Sequence, residues 1–326
     1  MKVCDASPAC LAEAAELLRR GRLVAFPTET VYGLGADASN PEAVHRIFSA
    51  KGRPADHPLI VHLPEVALLD RWARAVPAAA WRLAERFWPG PLTLVLKRSS
   101  RVPDVVTGGQ DTVGLRVPGH PVALALLSTF GDGLAAPSAN RFGRVSPTTA
   151  RHVVEELGDR VDLVIDGGPC RVGIESSIVD LSGEKPRLLR PGAVTREMLA
   201  ECLGEPVVTG TTVDSPRVSG ALPSHYAPET PVRLIPANAM SEEVTSLMSA
   251  DKRVGVLSIH ALPDGIAPWR FPMPDTPEEY ARCLYARLRE ADQWGCDLIV
   301  VELPPESPAW TAIHDRLQRA AAELSQ

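Results

Sequence analysis

Short apolar runs that stop abruptly at glycine or proline, separated by stretches with helical spacing, constrain this chain more than any other feature. The run at 23–26 halts at Pro27, the run at 92–96 follows Trp88-Pro89-Gly90-Pro91, that at 163–165 ends in Asp166-Gly167-Gly168, and Leu188-Leu189 closes at Arg190-Pro191-Gly192. Runs of this length suit buried strands. Helical patterns lie between them. One covers 8–20, with Pro8 near its first turn and Gly21 past its end; another starts at Pro41 behind Asn40 as cap; others fall at 76–87, 121–130 and 148–157. For the last of these, Ser146-Pro147-Thr148 reads as cap and first turn. The alternation predicts a mixed α/β domain, while its uneven spacing speaks against a regular doubly wound sheet.

At 326 residues the chain favours two domains, because single cores rarely grow past about 250–300 residues. The reading places a first domain at 1–208, a Thr/Ser/Pro/Gly-rich connecting segment at 209–231, and a second domain at 232–326. The second domain carries apolar runs at 232–235, 254–258 and 296–301 with helical patterns between them, one behind a capping-box sequence at Thr276-Pro277-Glu278-Glu279. That arrangement predicts at least three parallel strands. Residues 1–208 hold 24 basic and 24 acidic side chains, whereas 209–326 hold 10 and 16 and account for the whole formal charge of −6. An acidic second part argues against a nucleic-acid grip there, including direct tRNA binding.

Cysteines at 4, 10, 170, 202, 283 and 296 form no C-x-x-C and no close Cys/His cluster, which indicates neither a zinc site nor a disulfide framework and suits a reducing compartment. With no leader-like or membrane-length apolar stretch, the expectation is a cytoplasmic protein with no membrane association.

The polar groups that punctuate the strand ends carry the chemistry. In 51–62, Lys51 and Arg53 share one side of the backbone if residues 51–53 are extended, and Pro54 and Pro58 stiffen the loop around His57 before His62 at the strand end. Two cations converging on one place suit an anion, although a basic turn before a strand is the plainer alternative. Thr28, Glu29 and Thr30 leave a strand end, where they can either cap a turn or meet a ligand. Arg116 lies inside an apolar strand pattern, so it is either salt-bridged or used. Small residues at 134–140 let a ligand approach the backbone closely, with Ser138, Asn140 and Ser146 able to donate to phosphate oxygens. Neither G-x-G-x-x-G nor G-x-x-x-x-G-K-[ST] is present, so dinucleotide and P-loop sites lose their usual support. In the connecting segment, Ser224-His225-Tyr226 brings more equipment than a spacer needs, which suggests a lid.

Seven stretches in order, PTETVYGLG at 27–35, KGRPADHPLIVH at 51–62, TVGLRVP at 112–118, APSANRFG at 136–143, GIESSIVD at 173–180, LLRPGAV at 188–194 and SHYAP at 224–228, resemble the YrdC-like threonylcarbamoyl-AMP synthases in their longer two-domain form. The resemblance implies a twisted, open mixed-sheet α/β domain with a deep basic cavity, followed by a smaller Rossmann-like α/β domain. It also implies synthesis of L-threonylcarbamoyl-AMP and pyrophosphate from L-threonine, bicarbonate and ATP, with Mg2+ accompanying ATP. The product would pass to the tRNA threonylcarbamoyl-transfer machinery for modification of adenosine 37. By the same resemblance Lys51, Arg53, His57, Thr112, Ser138, Ser146, Arg190 and Tyr226 would contact ATP, with Asn140 supporting the phosphates. Lys51, Arg53, Ser138 and Asn140 would stand at the reacting centre, and Thr30, His62, Arg116, the Ala136 backbone and Ser176 would hold threonine. His57 stands where many relatives have Asn, and Ser177 where many have Thr. Two other readings stay open: an RNA-binding member of the family without synthesis, and carbamoyl transfer through a related adenylate.

Overall fold

The computed structural model describes residues 1–220, 224–262 and 269–322, so parts of the connecting segment and of the second-domain range lie outside the described residues. Two units emerge from the chain's contacts, the first Met1–Phe142 with Ser146–Ala221, the second Gly143–Val145 with Leu222–Gln326.

The first unit contains β1 (Lys2–Asp5), β2 (Val24–Phe26), β3 (Gly33–Asp37), β4 (Ile60–His62), β5 (Leu92–Lys97), β6 (Thr112–Arg116), β7 (Leu134–Ala135), β8 (Leu163–Asp166), β9 (Ser177–Asp180), β10 (Arg187–Arg190) and β11 (Val208–Thr209). These join in one sheet in the order β1-β8-β2-β3-β7-β4-β6-β5-β9-β10-β11. Parallel pairs such as β4 with β6 alternate with antiparallel ones such as β5 with β6, as the uneven spacing of the apolar runs implied. Its helices are α1 (Pro8–Arg19), α2 (Pro41–Lys51), α3 (Leu69–Trp72), α4 (Ala78–Phe87), α5 (Asp104–Thr107), α6 (Pro121–Phe130), α7 (Ala150–Leu157) and α8 (Arg196–Leu203).

The period of two along the strands distributes the apolar side chains. Val24 and Phe26 pack with Leu163, Ile165 and the facing sides of α1 and α6, while Ala25 and Val164 join the larger core of α2, Trp72 and Leu83. Both faces of the sheet are therefore covered, and the strand ends are left to carry polar groups.

Local signals explain most boundaries. Ser7 caps α1 by accepting from the Cys10 N–H, and Asn40 caps α2 by accepting from the N–H groups of Glu42 and Ala43. Three readings are corrected. α7 starts at Ala150 with Thr149 as its cap, because the Thr149 hydroxyl accepts from His152 N while Ser146 turns to another partner. Thr276 precedes the helix Pro277–Gln293 without a side-chain bond to the backbone, since its hydroxyl meets the Glu279 carboxylate at 3.3 Å instead. Cys4 and Cys10 are joined in a disulfide, the β1–α1 turn having brought their Cα atoms within 6.3 Å.

The second unit has β12 (Val232–Ile235), β13 (Val254–Ser258), β14 (Trp269–Pro272) and β15 (Leu298–Glu302) in a parallel sheet ordered β12-β15-β13-β14. Helices α9 (Met240–Ser249), α10 (Pro277–Gln293) and α11 (Thr311–Ala321) complete it. Gly143 is tied into this unit by the bond from Ala227 N to its carbonyl. Among the described residues no helix is long and apolar enough to cross a membrane.

Gly192, just after β10, closely approaches the β9 backbone: a Cβ there would lie 2.4 Å from Ser177 N and 2.8 Å from Ser176 C. Gly192→Ala should destabilise the protein by about 1–3 kcal/mol, since backbone cannot yield as a side-chain end can. Thermal unfolding of the variant tests this, and an unchanged midpoint would show that the turn relaxes freely.

Candidate active site

Lys51 is the last residue of α2, and Gly52 ends that helix in the left-handed region at φ 61°. The three residues 51–53 are therefore not extended, which corrects the expected geometry: a glycine cap, favourable because it has no Cβ, reverses the chain instead. Both cations are nonetheless buried. Lys51 Nζ donates to the carbonyls of Ser138 at 2.5 Å and Asn140 at 2.6 Å. Burial, then the nearby Arg53 charge, push the lysine well below its usual range, with Glu156 and Glu175 acting in the opposite sense.

Arg53 Nη2 donates to Pro58 O at 2.9 Å and to the Ser219 hydroxyl at 3.2 Å. Its guanidinium lies 5.7 Å from the Phe142 ring centre, and the same ring meets the edge of His57 at 5.2 Å. Burial and Arg53 lower the His57 pKa. Phe142 is not among the site residues the sequence points to; its signal there is an aromatic directly after Asn140-Arg141.

Arg116 closes β6 in register with His62 of β4. It donates from Nε to Gly90 O at 3.1 Å and from Nη1 to the Thr30 hydroxyl at 3.0 Å, and Nη2 stands 2.7 Å from Glu29 Oε1. The salt-bridge alternative for Arg116 is thus realised, together with a contact to a threonine-side candidate. Thr28 also takes its local role, accepting from Thr30 N and Val31 N while its hydroxyl lies 2.8 Å from that of Thr30. Burial first, and Arg116 second, depress His62 to about 3, and its Nδ1 has no hydrogen-bond partner among the described residues. Ala136, next to β7, already commits its N–H to Ile60 O.

A third cluster links the two sides. Arg190 donates from Nε to Ser176 O at 3.0 Å, from Nη2 to the Ser176 hydroxyl at 3.1 Å, and from Nη1 to Ser219 O at 2.9 Å. The Ser176 hydroxyl also meets that of Thr93 at 2.8 Å. Nearby in sequence, the Ser146 hydroxyl donates to Glu175 at 2.5 Å, and Asn140 Nδ2 donates to Arg141 O. Thr112, Gln110, Thr93, Pro58 and Ser219 line a pocket of only about 20 Å³. Arg217 helps to close it, its N–H bonded to Gln110 and its guanidinium to Gly108 O. The structure therefore brings Lys51, Arg53 and His57, at the end of α2 and in the loop after it, against Ser138, Asn140 and Phe142 in the loop after β7, and joins Arg190 to Ser176. Within the second unit Tyr226 is buried, with φ 62°, stacked on Tyr285 at 5.9 Å and with the Arg316 guanidinium 5.1 Å from its ring.

The Sua5/YciO/YrdC family, described as telomere recombination, matches residues 16–192. The chain belongs to this family. Residues 194–322 match the family described as the threonylcarbamoyl-AMP synthase C-terminal domain. A threonylcarbamoyl-AMP synthase of Pyrococcus abyssi is 44% identical, the match covering 94% of this chain and 93% of that protein. One from Bacillus subtilis is 39% identical over 95% and 92%. The crystal structure of P. abyssi Sua5 complexed with L-threonine superposes with a TM-score of 0.90 at 42% identity, covering 95% of this chain and 94% of that one.

Because His62 stays neutral in the folded protein down to about pH 3, whereas an ordinary imidazole titrates near 6.5, the unfolded chain binds the proton first. Stability should consequently fall as pH drops from 6.5 towards 3. In His62→Gln, urea midpoints should decline less steeply across that window than in the wild type; an equal slope would assign the acid sensitivity to other groups.

Proposed function

We propose that this chain is an L-threonylcarbamoyl-AMP synthase, joining L-threonine, bicarbonate and ATP with release of pyrophosphate. The observation that carries the reading is the junction at Ser176, where Arg190 of the nucleotide set binds a residue of the threonine set. Near full-length likeness to proteins named for this activity supports it. In the proposed division, residues 1–208 catalyse, 209–231 connect and cover, and 232–326 support the connecting segment.

The chemistry follows from the groups present. The threonine amine attacks bicarbonate to give a carbamate and water; a carbamate oxygen then attacks the ATP α-phosphorus and pyrophosphate leaves. No covalent nucleophile is needed. What is needed is positioning, and charge stabilisation at phosphorus by donors that are already in place. Arg116, Thr30, His62, Ser176 and the Ala136 backbone hold threonine, and the unpartnered His62 Nδ1 suits its hydroxyl. Lys51, Arg53, Arg190, Thr112, Ser138, Ser146 and His57 receive the nucleotide, with Asn140 fixing the loop around Lys51 and Tyr226 covering the nucleotide from the connecting segment.

Present partners of these cations are mostly neutral carbonyls and hydroxyls, which phosphate oxygens replace with stronger, charge-assisted bonds. The deep basic cavity is the space gained when Ser219 gives up Arg53 and Arg190 to ATP. Mg2+ accompanying ATP would be held by phosphate oxygens and water, and the Ser146–Glu175 pair would offer hard oxygen donors. The adenylate is passed on to tRNA modification. Burial of the cations inside the domain favours this reading over an RNA-binding surface, which would present them outward.

Incubation with ATP, L-threonine, bicarbonate and Mg2+ should give pyrophosphate and threonylcarbamoyl-AMP by mass spectrometry; folded protein without product would sink the reading. Arg53→Ala should lose about 2 kcal/mol of transition-state stabilisation, roughly thirty-fold in kcat/KM for ATP. Arg190→Ala should raise the KM of ATP and threonine together, and an effect confined to ATP would contradict the junction.

A further inference from the structure

One buried carboxylate beside Arg116 has no part in the assignments above. Glu29 is 2% exposed. Its Oε2 accepts from Gly119 N at 2.8 Å, while its Oε1 lies 2.7 Å from Arg116 Nη2. Those two close atoms make no properly directed hydrogen bond, to each other or to any described residue. An ion pair this deep, serving only to fix Arg116, should complete its hydrogen bonds, because unsatisfied buried charge is costly. Behind their 2.7 Å ion pair, Glu29 keeps an unused acceptor and Arg116 an unused donor. An ammonium and a carboxylate on one carbon complement that pair.

Resting on the threonine assignment above, we propose that Glu29 is the specificity residue of the amino-acid slot. By cancelling the Arg116 charge it makes the slot select a zwitterionic α-amino acid over simple carboxylate anions, including the bicarbonate that the same reaction consumes. Arg116 alone would receive any small anion. With Glu29 beside it, an anion lacking an ammonium meets a like charge, whereas a zwitterion satisfies both groups. Other groups near the pair leave this balance intact. His62 is neutral near pH 7. His120, whose pKa burial also lowers, accepts the Val122 N–H through Nδ1, as a neutral ring does. Arg171 is exposed and donates to Gly119 O, where solvent screens its charge.

The test is calorimetric binding of L-threonine and of (2S,3R)-2,3-dihydroxybutanoate, which replaces the ammonium by a hydroxyl, to the wild type, Glu29→Gln and Glu29→Asp, with bicarbonate as competitor. The wild type should prefer threonine by about ten-fold or more, as expected for loss of a charged partner. Glu29→Asp should keep the preference; Glu29→Gln should largely abolish it and let bicarbonate compete with threonine. Equal weakening of both acids in Glu29→Gln would reduce Glu29 to an anchor for Arg116 and overturn the proposal. Thermal melts establish folding; should Glu29→Gln not fold, equal affinities of the two acids for the wild type would overturn it without any variant. Failure of the wild type to bind threonine at all would instead overturn the threonine assignment, a distinct result.

Discussion

The structure of the first unit depends on meeting the cost of burying four cations, Lys51, Arg53, Arg116 and Arg190, within residues 1–208, whose net charge is zero. An unpaired buried charge is strongly unfavourable, so each must find oxygen. Arg116 takes the Glu29 carboxylate at close range; Lys51 and Arg53 take backbone carbonyls and a serine hydroxyl, and Arg190 the backbone and side chain of Ser176 with the Ser219 carbonyl. These partners come from strand ends and the loops beyond them, positions that the sheet fixes from both covered faces. Such an arrangement holds the cations in place.

Chain order and sheet order differ, and the difference builds the site. β4, β6 and β7 are distant in sequence, yet β4 lies between the other two. His62 and Arg116 therefore become register partners while Ala136 bonds to Ile60. The connecting segment adds to this geometry, since Ser219 touches both Arg53 and Arg190 from the far end of the unit's sequence. The Tyr226 ring is held within the second unit, stacked on Tyr285 and close to the Arg316 guanidinium, in a backbone conformation uncommon for a residue with a side chain.

Much of the architecture was legible because its signals are local. Asn40 before Pro41 and Pro8 with Gly21 mark helix ends through interactions a few residues long, and the structure places those ends there. The same kind of reasoning failed where two local outcomes compete. Ser146 could cap α7, yet Thr149 does so, because Ser146 reaches Glu175, 29 residues away. Gly52 left Lys51 and Arg53 free to be extended or reversed, and the helix ending at Lys51 decided for reversal. Nothing in the spacing of Cys4 and Cys10 required the turn that joins them.

By itself the sequence determined the α/β class, the parallel second sheet, the family, and which side chains carry charge or hydroxyls at strand ends. Only the tertiary structure decided that Arg116 pairs with Glu29, that Arg190 and Ser176 are bonded, and that Ser219 bridges Arg53 and Arg190. Strand and helix signals are written within a few residues, where steric and capping preferences act. Arg53 and Ser219 are 166 positions apart, and no preference that acts within a few residues reaches so far. Their meeting is fixed only when the packed sheet sets which strand ends stand side by side.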